Sequence, residues 1–222
     1  MLFSRLGQKF FSSFIGAFLE FWFATGNKGK IDEYKLLLRS LGGESLQQIP
    51  VHSQNELRSF SPRPETGKTF RENSLVKAKT LAAVKNHCWV FGEDSGLEVK
   101  GLDGLPGIHS ARYAGPKASE SENNAKLLKM LQLRGVSDRS ARFVCDLTVL
   151  NPQGETWHFE GELKGTLAPK LSGLHGFGYD PLFIPEGETK TLAELGPGYK
   201  VTKSHRAQAF QKFLDRFKSG TS

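Results

Sequence analysis

Cysteine is scarce in this 222-residue chain: Cys88 and Cys145 are the only two. Each sits in an apolar, strand-like run, and they are expected to be buried free thiols. No metal-ligand spacing and no wider cysteine framework accompany them, which excludes a disulfide-stapled module and suits a reducing compartment. An unbroken apolar run is also missing. The nearest candidate, MLFSRLGQKFFSSFIGAFLEF, is interrupted by Arg5, Gln8, Lys9, Ser12 and Ser13, too often for a membrane span. Acid is absent before Glu20, and seven of the 17 phenylalanines fall in the first 23 residues. That composition fits an organellar presequence, an interfacial helix or an extension from an upstream start, and the three stay open. Internal repeats and low-complexity tracts are absent as well.

What is present is an ordinary globular balance, 38% apolar and 24% charged, in a chain long enough for a proper core. The formal charge of +7 is unevenly placed. Arg5, Lys9, Lys28 and Lys30 face only Glu20 at one end, and Lys200, Lys203, Arg206, Lys212, Arg216 and Lys218 face only Asp215 at the other. A basic chain implies an anionic partner: nucleic acid, a membrane surface or a phosphorylated small molecule. The nearly balanced middle counts against a continuous nucleic-acid-binding face. Lys203, Lys212, Arg216 and Lys218 read as plain helix solvation.

The hydrophobic pattern predicts a mixed α/β protein. Phe21–Ala24 is expected as a short buried strand, followed by the glycine- and lysine-rich turn TGNKGK at 25–30. Ile31, Tyr34, Leu37, Leu38 and Leu41 then keep helical spacing until Gly42-Gly43. Residues 44–68 read as a strand fragment plus loop. Thr69 and Glu72 predict a capping box for a helix ending near Asn86, with Leu75, Ala78, Leu81 and Ala82 inward. Cys88–Phe91 and Leu97–Val99 are expected as two short extended runs with a turn between them. A helix is expected over 121–131. A hairpin follows, a half-buried strand over 142–150 pairing with 156–163 across the turn NPQG. A glycine-rich loop spans 170–181, and Ser204 is expected to cap a last helix with Ala209, Phe210, Phe213 and Phe217 inward.

Four places can carry chemistry. The turn at 25–30 presents backbone N–H groups at a helix start, where an anion is favoured. It is not a P-loop, because the spacing differs and Ile31 follows Lys30. Alone, it is as readily a tight turn with surface lysines. In FGEDSGLEV at 91–99, Glu93 and Asp94 stand side by side at the end of an apolar run. Two ionised acids there are costly unless charge is offset, and Mg²⁺ is commonly held by one or two carboxylates plus phosphate. Asp94 is thus a candidate metal ligand or base for water, although a solvent-facing acidic turn is the commoner arrangement. Glu65, framed by Pro64 and Gly67, is a candidate second ligand or a plain loop residue. Phe177 to Asp180, in GFGYD, can stack on a base and accept its N–H, or simply pack a loop. Arg206, after His205, can donate to phosphate or a carbonyl. Together these imply a nucleoside triphosphate and water.

The motifs also resemble a family, the inosine/xanthosine triphosphate pyrophosphatases. The matching runs are TGNKGK at 25–30, ETGKTFRENSLVKAK at 65–79, EDSGLEV at 93–99, GLPGIHSARYAG at 104–115, GFGYDPLF at 176–183 and SHR at 204–206. The resemblance implies an elongated mixed β-sheet with flanking helices and two lobes around a nucleotide cleft. It places one catalytic domain at 22–218 after an extension at 1–21. It implies Mg²⁺-dependent hydrolysis of non-standard purine nucleoside triphosphates (ITP, dITP, XTP) to monophosphate and pyrophosphate, by a cytoplasmic homodimer without nucleic-acid partner or stable membrane association. By the same resemblance Thr25, Gly26, Asn27, Lys28, Gly29 and Lys30 bind the triphosphate. Asp94 is the catalytic acid and a metal ligand, and Glu65 is a further metal carboxylate. Lys77, Ser95 and Lys200 contact substrate. Phe177, Gly178, Tyr179, Asp180, His205 and Arg206 form the base pocket. The departures are Glu93 where Asp is usual, Pro64 where an acid is common, His109 for Tyr, and Lys203 for an apolar residue. A pyrophosphatase for other modified nucleotides and an inactive nucleotide sensor are the alternatives.

Overall fold

In the computed structural model, which describes residues 19–220, six strands form one mixed sheet. They are β1 (Phe21–Phe23), β2 (Val51–Ser53), β3 (Trp89–Val99), β4 (Ser140–Leu150), β5 (Thr156–Leu167) and β6 (Phe183–Pro185), in the order β2-β1-β3-β4-β5-β6. β1 is parallel to both its neighbours, and every other pairing is antiparallel. Most of the expected extension at 1–21 lies outside the described residues.

Helix α1 (Lys28–Leu41) begins inside the glycine-lysine turn rather than after it. Asn27 caps it, its side chain accepting from the Lys30 N–H at 3.1 Å. Ile31, Tyr34, Leu37 and Leu38 are buried, as the spacing predicts. Helix α2 (Phe70–Ala82) realises half of the expected capping box. Thr69 Oγ1 accepts from the Glu72 N–H, but the Glu72 carboxylate accepts from the Lys68 N–H. Its buried face is also more polar than expected. Asn73, Ser74 and Ala78 turn inward, and Leu75 is only half-buried. Helix α3 (Glu120–Leu133) is capped by Ser119. Helix α4 (Leu192–Lys203), which the pattern did not indicate, is kinked where Gly196 adopts φ 76° before Pro197. Helix α5 (His205–Gly220) buries Ala209, Phe210, Phe213 and Phe217 as expected, each Phe contributing about 1.5–3 kcal/mol.

The main correction falls on 89–99. The sequence suggested two short runs around a turn, but β3 is one continuous strand of 11 residues. Its glycines are demanded by close approach. A Cβ on Gly92 would stand 2.1 Å from the Ser74 carbonyl oxygen of α2, and one on Gly96 2.4 Å from that of Gly107. β4 differs too. It is buried on both faces from Phe143 to Val149, because the aromatic cluster of α5 covers one face and α2 the other. Cys145 is a buried free thiol as expected, whereas Cys88 is half-buried and donates to Glu20 Oε1.

Two large cores share this sheet, beside a smaller cluster of Trp22, Ala24, Leu81 and Val90. Phe91, Cys145, Leu147 and Val149 belong to a cluster with β1, α1 and α5. Leu97, Val99, Ala141 and Phe143 belong to another with α3, β6 and the start of α4. On β3 the residues between the two cores are Gly92 to Gly96.

Candidate active-site cleft

The pleat of β3 sends adjacent side chains to opposite faces. Glu93 faces α5, where Arg206 Nη2 donates to its Oε1 at 3.1 Å and Lys30 Nζ lies 3.4 Å from its Oε2. Burial would raise the Glu93 carboxyl, but Arg206 and Lys30 hold it well below the usual carboxylate range. The expectation that the Glu93-Asp94 pair needs a shared cation is therefore corrected: Glu93 is neutralised by the protein itself. Asp94 faces α2. It accepts from Lys77 Nζ at 2.7 Å and from Asn73 Nδ2 at 3.1 Å. Burial pushes Asp94 above the ordinary Asp value, against Lys77 and Lys30.

Around these residues lies a cleft with two chambers of about 290 Å³ each, sharing Asn27, Lys30, Ser95 and Ala111 as a common wall. A larger open groove of about 610 Å³ crosses the far end of β3–β6 and shares no residue with the cleft.

The first chamber holds Thr25, Gly26, Asn27, Lys30, Glu65, Lys77 and Asp94. Its floor is the N-terminus of α1, whose dipole favours an anion. The loop is fixed from β2: Ser53 Oγ donates to the Thr25 carbonyl, and Asn55 Nδ2 to that of Gly26. Lys77 Nζ lies 2.7 Å from both Asp94 Oδ1 and Glu65 Oε1. Glu65 also accepts from Arg112 Nη1 at 2.7 Å. Burial works against ionisation of Glu65, but Lys77 and Arg112 prevail and hold it below its ordinary value. Two carboxylates that share one ammonium suit a divalent cation that takes its other ligands from water and phosphate. Among the described residues no group of three or more His, Cys, Asp or Glu side chains is arranged to hold a metal, so the set is limited to these two.

The second chamber holds Phe177, Gly178, Tyr179, Asp180, Lys200, His205 and Arg206. The Phe177 ring packs on Gly29, where a Cβ would lie 2.7 Å from it. Asp180 accepts from the Phe177 N–H at 3.0 Å and from Lys200 Nζ at 2.7 Å, and burial raises its carboxyl despite Lys200. Lys200 and Arg206 both pair with Glu33 of α1. Arg206 also donates to Ser95 Oγ, so together with Glu93 and Glu33 four of its five N–H groups are engaged. His205 stacks on Phe143 at 4.8 Å, its buried Nδ1 has no partner, and burial holds the ring neutral. Tyr179 donates to the Ser110 carbonyl and ties the loop to the opposite wall.

The fold thus gathers the residues indicated by the sequence into one cleft, with two exceptions. Lys28 is exposed and lines neither chamber, and Gly29 serves as the seat of Phe177. Asn73, Arg112 and Glu33 were missed. The first two lie inside quoted motif runs, and Glu33 stands one helical turn after Lys30.

An aromatic chamber joined to one lined by lysines, carboxylates and a helix N-terminus suits a base and its phosphates, which defines the class as a nucleotide-processing α/β protein. The profile of the Ham1 family matches residues 21–216, and the chain belongs to that family. A dITP/XTP pyrophosphatase of Bdellovibrio bacteriovorus is 61% identical over 201 residues, 90% of this chain and 98% of its own. The Staphylococcus aureus Ham1 protein superposes with a TM-score of 0.76 at 37% identity, covering 91% of this chain and 100% of its own. A HAM1 protein from Coxiella burnetii gives 0.78 at 35% identity, covering 90% and 99%.

Proposed function

We propose that the chain hydrolyses non-standard purine nucleoside triphosphates, ITP, dITP and XTP, to the monophosphate and pyrophosphate, removing them before misincorporation. It is a nucleoside-triphosphate pyrophosphatase. The observation that carries this reading is the common wall of Asn27, Lys30, Ser95 and Ala111, which joins a carboxylate-and-lysine chamber to an aromatic chamber. The relatives named dITP/XTP pyrophosphatase support the substrate class.

In this mechanism the base lies against Phe177 and the triphosphate runs past Lys30 toward Lys77. Asp94 accepts a proton from, or orients, the water that attacks the α-phosphorus. Its raised proton affinity in a half-dry site suits a base. Asn73 and Lys77 fix its carboxylate. Glu65 and Asp94 would hold Mg²⁺, which when bound supplies neutralisation of the charge developing on the departing pyrophosphate. Lys30 and Lys77 add positive charge along the same path. At the base, Asp180 and the remaining Arg206 N–H address the N1–H and O6 of hypoxanthine; adenine reverses that pattern and leaves buried groups unpaired.

A homodimer is proposed on the family resemblance, and sedimentation at twice the chain mass tests it. A cytoplasmic site is proposed because two free thiols suit a reducing compartment. Among the described residues no helix is long and apolar enough to cross a membrane.

The deciding experiment is pyrophosphate release from ITP, dITP, XTP, GTP and ATP, with Mg²⁺ and with EDTA. Metal-dependent release from the first three alone is expected. Equal release from all five removes the base-chamber argument, and none from a folded sample removes the enzyme.

A further inference from the structure

Four cationic side chains line the first chamber: Lys30, Arg63, Lys77 and Arg112. Three are already matched by acids. Lys30 has Glu93, Lys77 has Glu65 and Asp94, and Arg112 has Glu65. Arg63 differs. It is exposed, and among the described residues it makes no ion pair and no hydrogen bond. Its backbone is stiff because Pro62 and Pro64 flank it, which fixes φ on both sides and biases Arg63 itself toward an extended conformation. The segment therefore offers an unspent guanidinium at a set place, two residues before Glu65. Arg63 lines only this chamber, not the aromatic one, so it stands on the side of the cleft away from the base.

We propose that Arg63 is a clamp for the terminal phosphates of the substrate. This rests on the proposed nucleotide reading and deepens it. A planar guanidinium matches phosphate oxygens bidentately, which an ammonium cannot do. When water oxygen bonds to the α-phosphorus, the bond from that phosphorus to the α,β-bridging oxygen breaks. The electron pair leaves with pyrophosphate, whose non-bridging oxygens then carry the added charge. Arg63 donates hydrogen bonds to those oxygens and exchanges no proton. Lys77 cannot fill this role alone, because Glu65 and Asp94 already hold its ammonium.

The test compares the full chain with Arg63→Gln and Arg63→Lys. Inorganic pyrophosphate binding is measured by calorimetry, inhibition by IMP in parallel, and kcat/KM on ITP with Mg²⁺. Arg63→Gln is expected to weaken pyrophosphate binding about ten- to a hundredfold, the range for a lost charge-assisted hydrogen bond. Its kcat/KM should fall by a similar factor, IMP inhibition should stay within about twofold, and Arg63→Lys should recover part of the loss. Pyrophosphate binding that is equal in wild type and Arg63→Gln overturns the clamp, as does a wild type that does not bind it. Equal weakening of IMP overturns it too, since the effect would then belong to the whole cleft. If wild type binds pyrophosphate through Arg63 yet cleaves no ITP, the clamp stands and the proposed reaction falls.

Discussion

Asp94 occupies a place where one atom decides between base and bystander. Asparagine keeps its size and the Asn73 contact but loses the proton acceptor and the partner of Lys77. Asp94→Asn is therefore expected to bind ITP within a few-fold of wild type and to lose about 10²–10⁴ in kcat, measured by pyrophosphate release. Across the sheet, Asp146 pairs in register with Asp94 and Glu160. Burial, then Glu160, pushes its carboxyl up to about 6, with Asp94 adding and Arg71 opposing. The native state thus holds that proton more tightly than the unfolded chain does, whose Asp titrates near about 3.9. Its charge costs stability above about pH 6, and the cost fades as pH falls through that value toward the unfolded one. Asp146→Asn should accordingly melt higher than wild type at pH 8, and the gap should close by pH 4–5. Thermal melts across that range check the sign.

At the scale of elements, the contact that matters is α2 lying on β3. Gly92 lets the backbones approach, and Asn73 and Lys77 ride on the same helix. Gly92→Ala forces α2 outward. The expected loss is about 1–3 kcal/mol, read as a melting temperature lower by about 2–12 °C, together with reduced kcat. Gly198→Ala, with open space around it, is the control. The same element marks where sequence reading succeeded and where it stopped. Periodic apolar faces such as Ile31 to Leu38 and Phe210 to Phe217 announce themselves, because one side meets water. β3 is buried on both faces and lacks the alternation that marks a strand, whereas β4 keeps its alternation and was legible as a strand, though not as one buried on both faces. Glycines and acids inside β3 then look like a turn. The motif runs located most of the cleft. Glu33, Asn73 and Arg112 stayed hidden because nothing local shows that a helix carboxylate or amide will meet a chain segment dozens of residues away.

For the whole molecule, the cleft lies between two hydrophobic clusters that share one sheet. A ligand touching both chambers bridges the start of α1, beside the first cluster, and the loop from Phe177 to Asp180, beside the second, so binding should stabilise the fold as a unit. A non-hydrolysable ITP analogue with Mg²⁺, at about a hundred times its dissociation constant, adds about 2.7 kcal/mol. For a chain of this size that is an increase of about 5–11 °C in melting temperature, followed by scanning calorimetry. The matching ATP analogue at the same concentration should move it far less.

The opposite facing of Glu93 and Asp94 also bears on which genetic changes this stretch can survive. Substitutions at single positions of β3 alter one face at a time. Loss of one codon between Trp89 and Gly92 would instead turn the pleat over, carrying the Glu93 carboxylate toward the helix with Lys77 and the Asp94 carboxylate toward Arg206. Almost every residue would survive in a chain whose two acids had traded surroundings. In-frame deletions here should therefore be more damaging than most replacements.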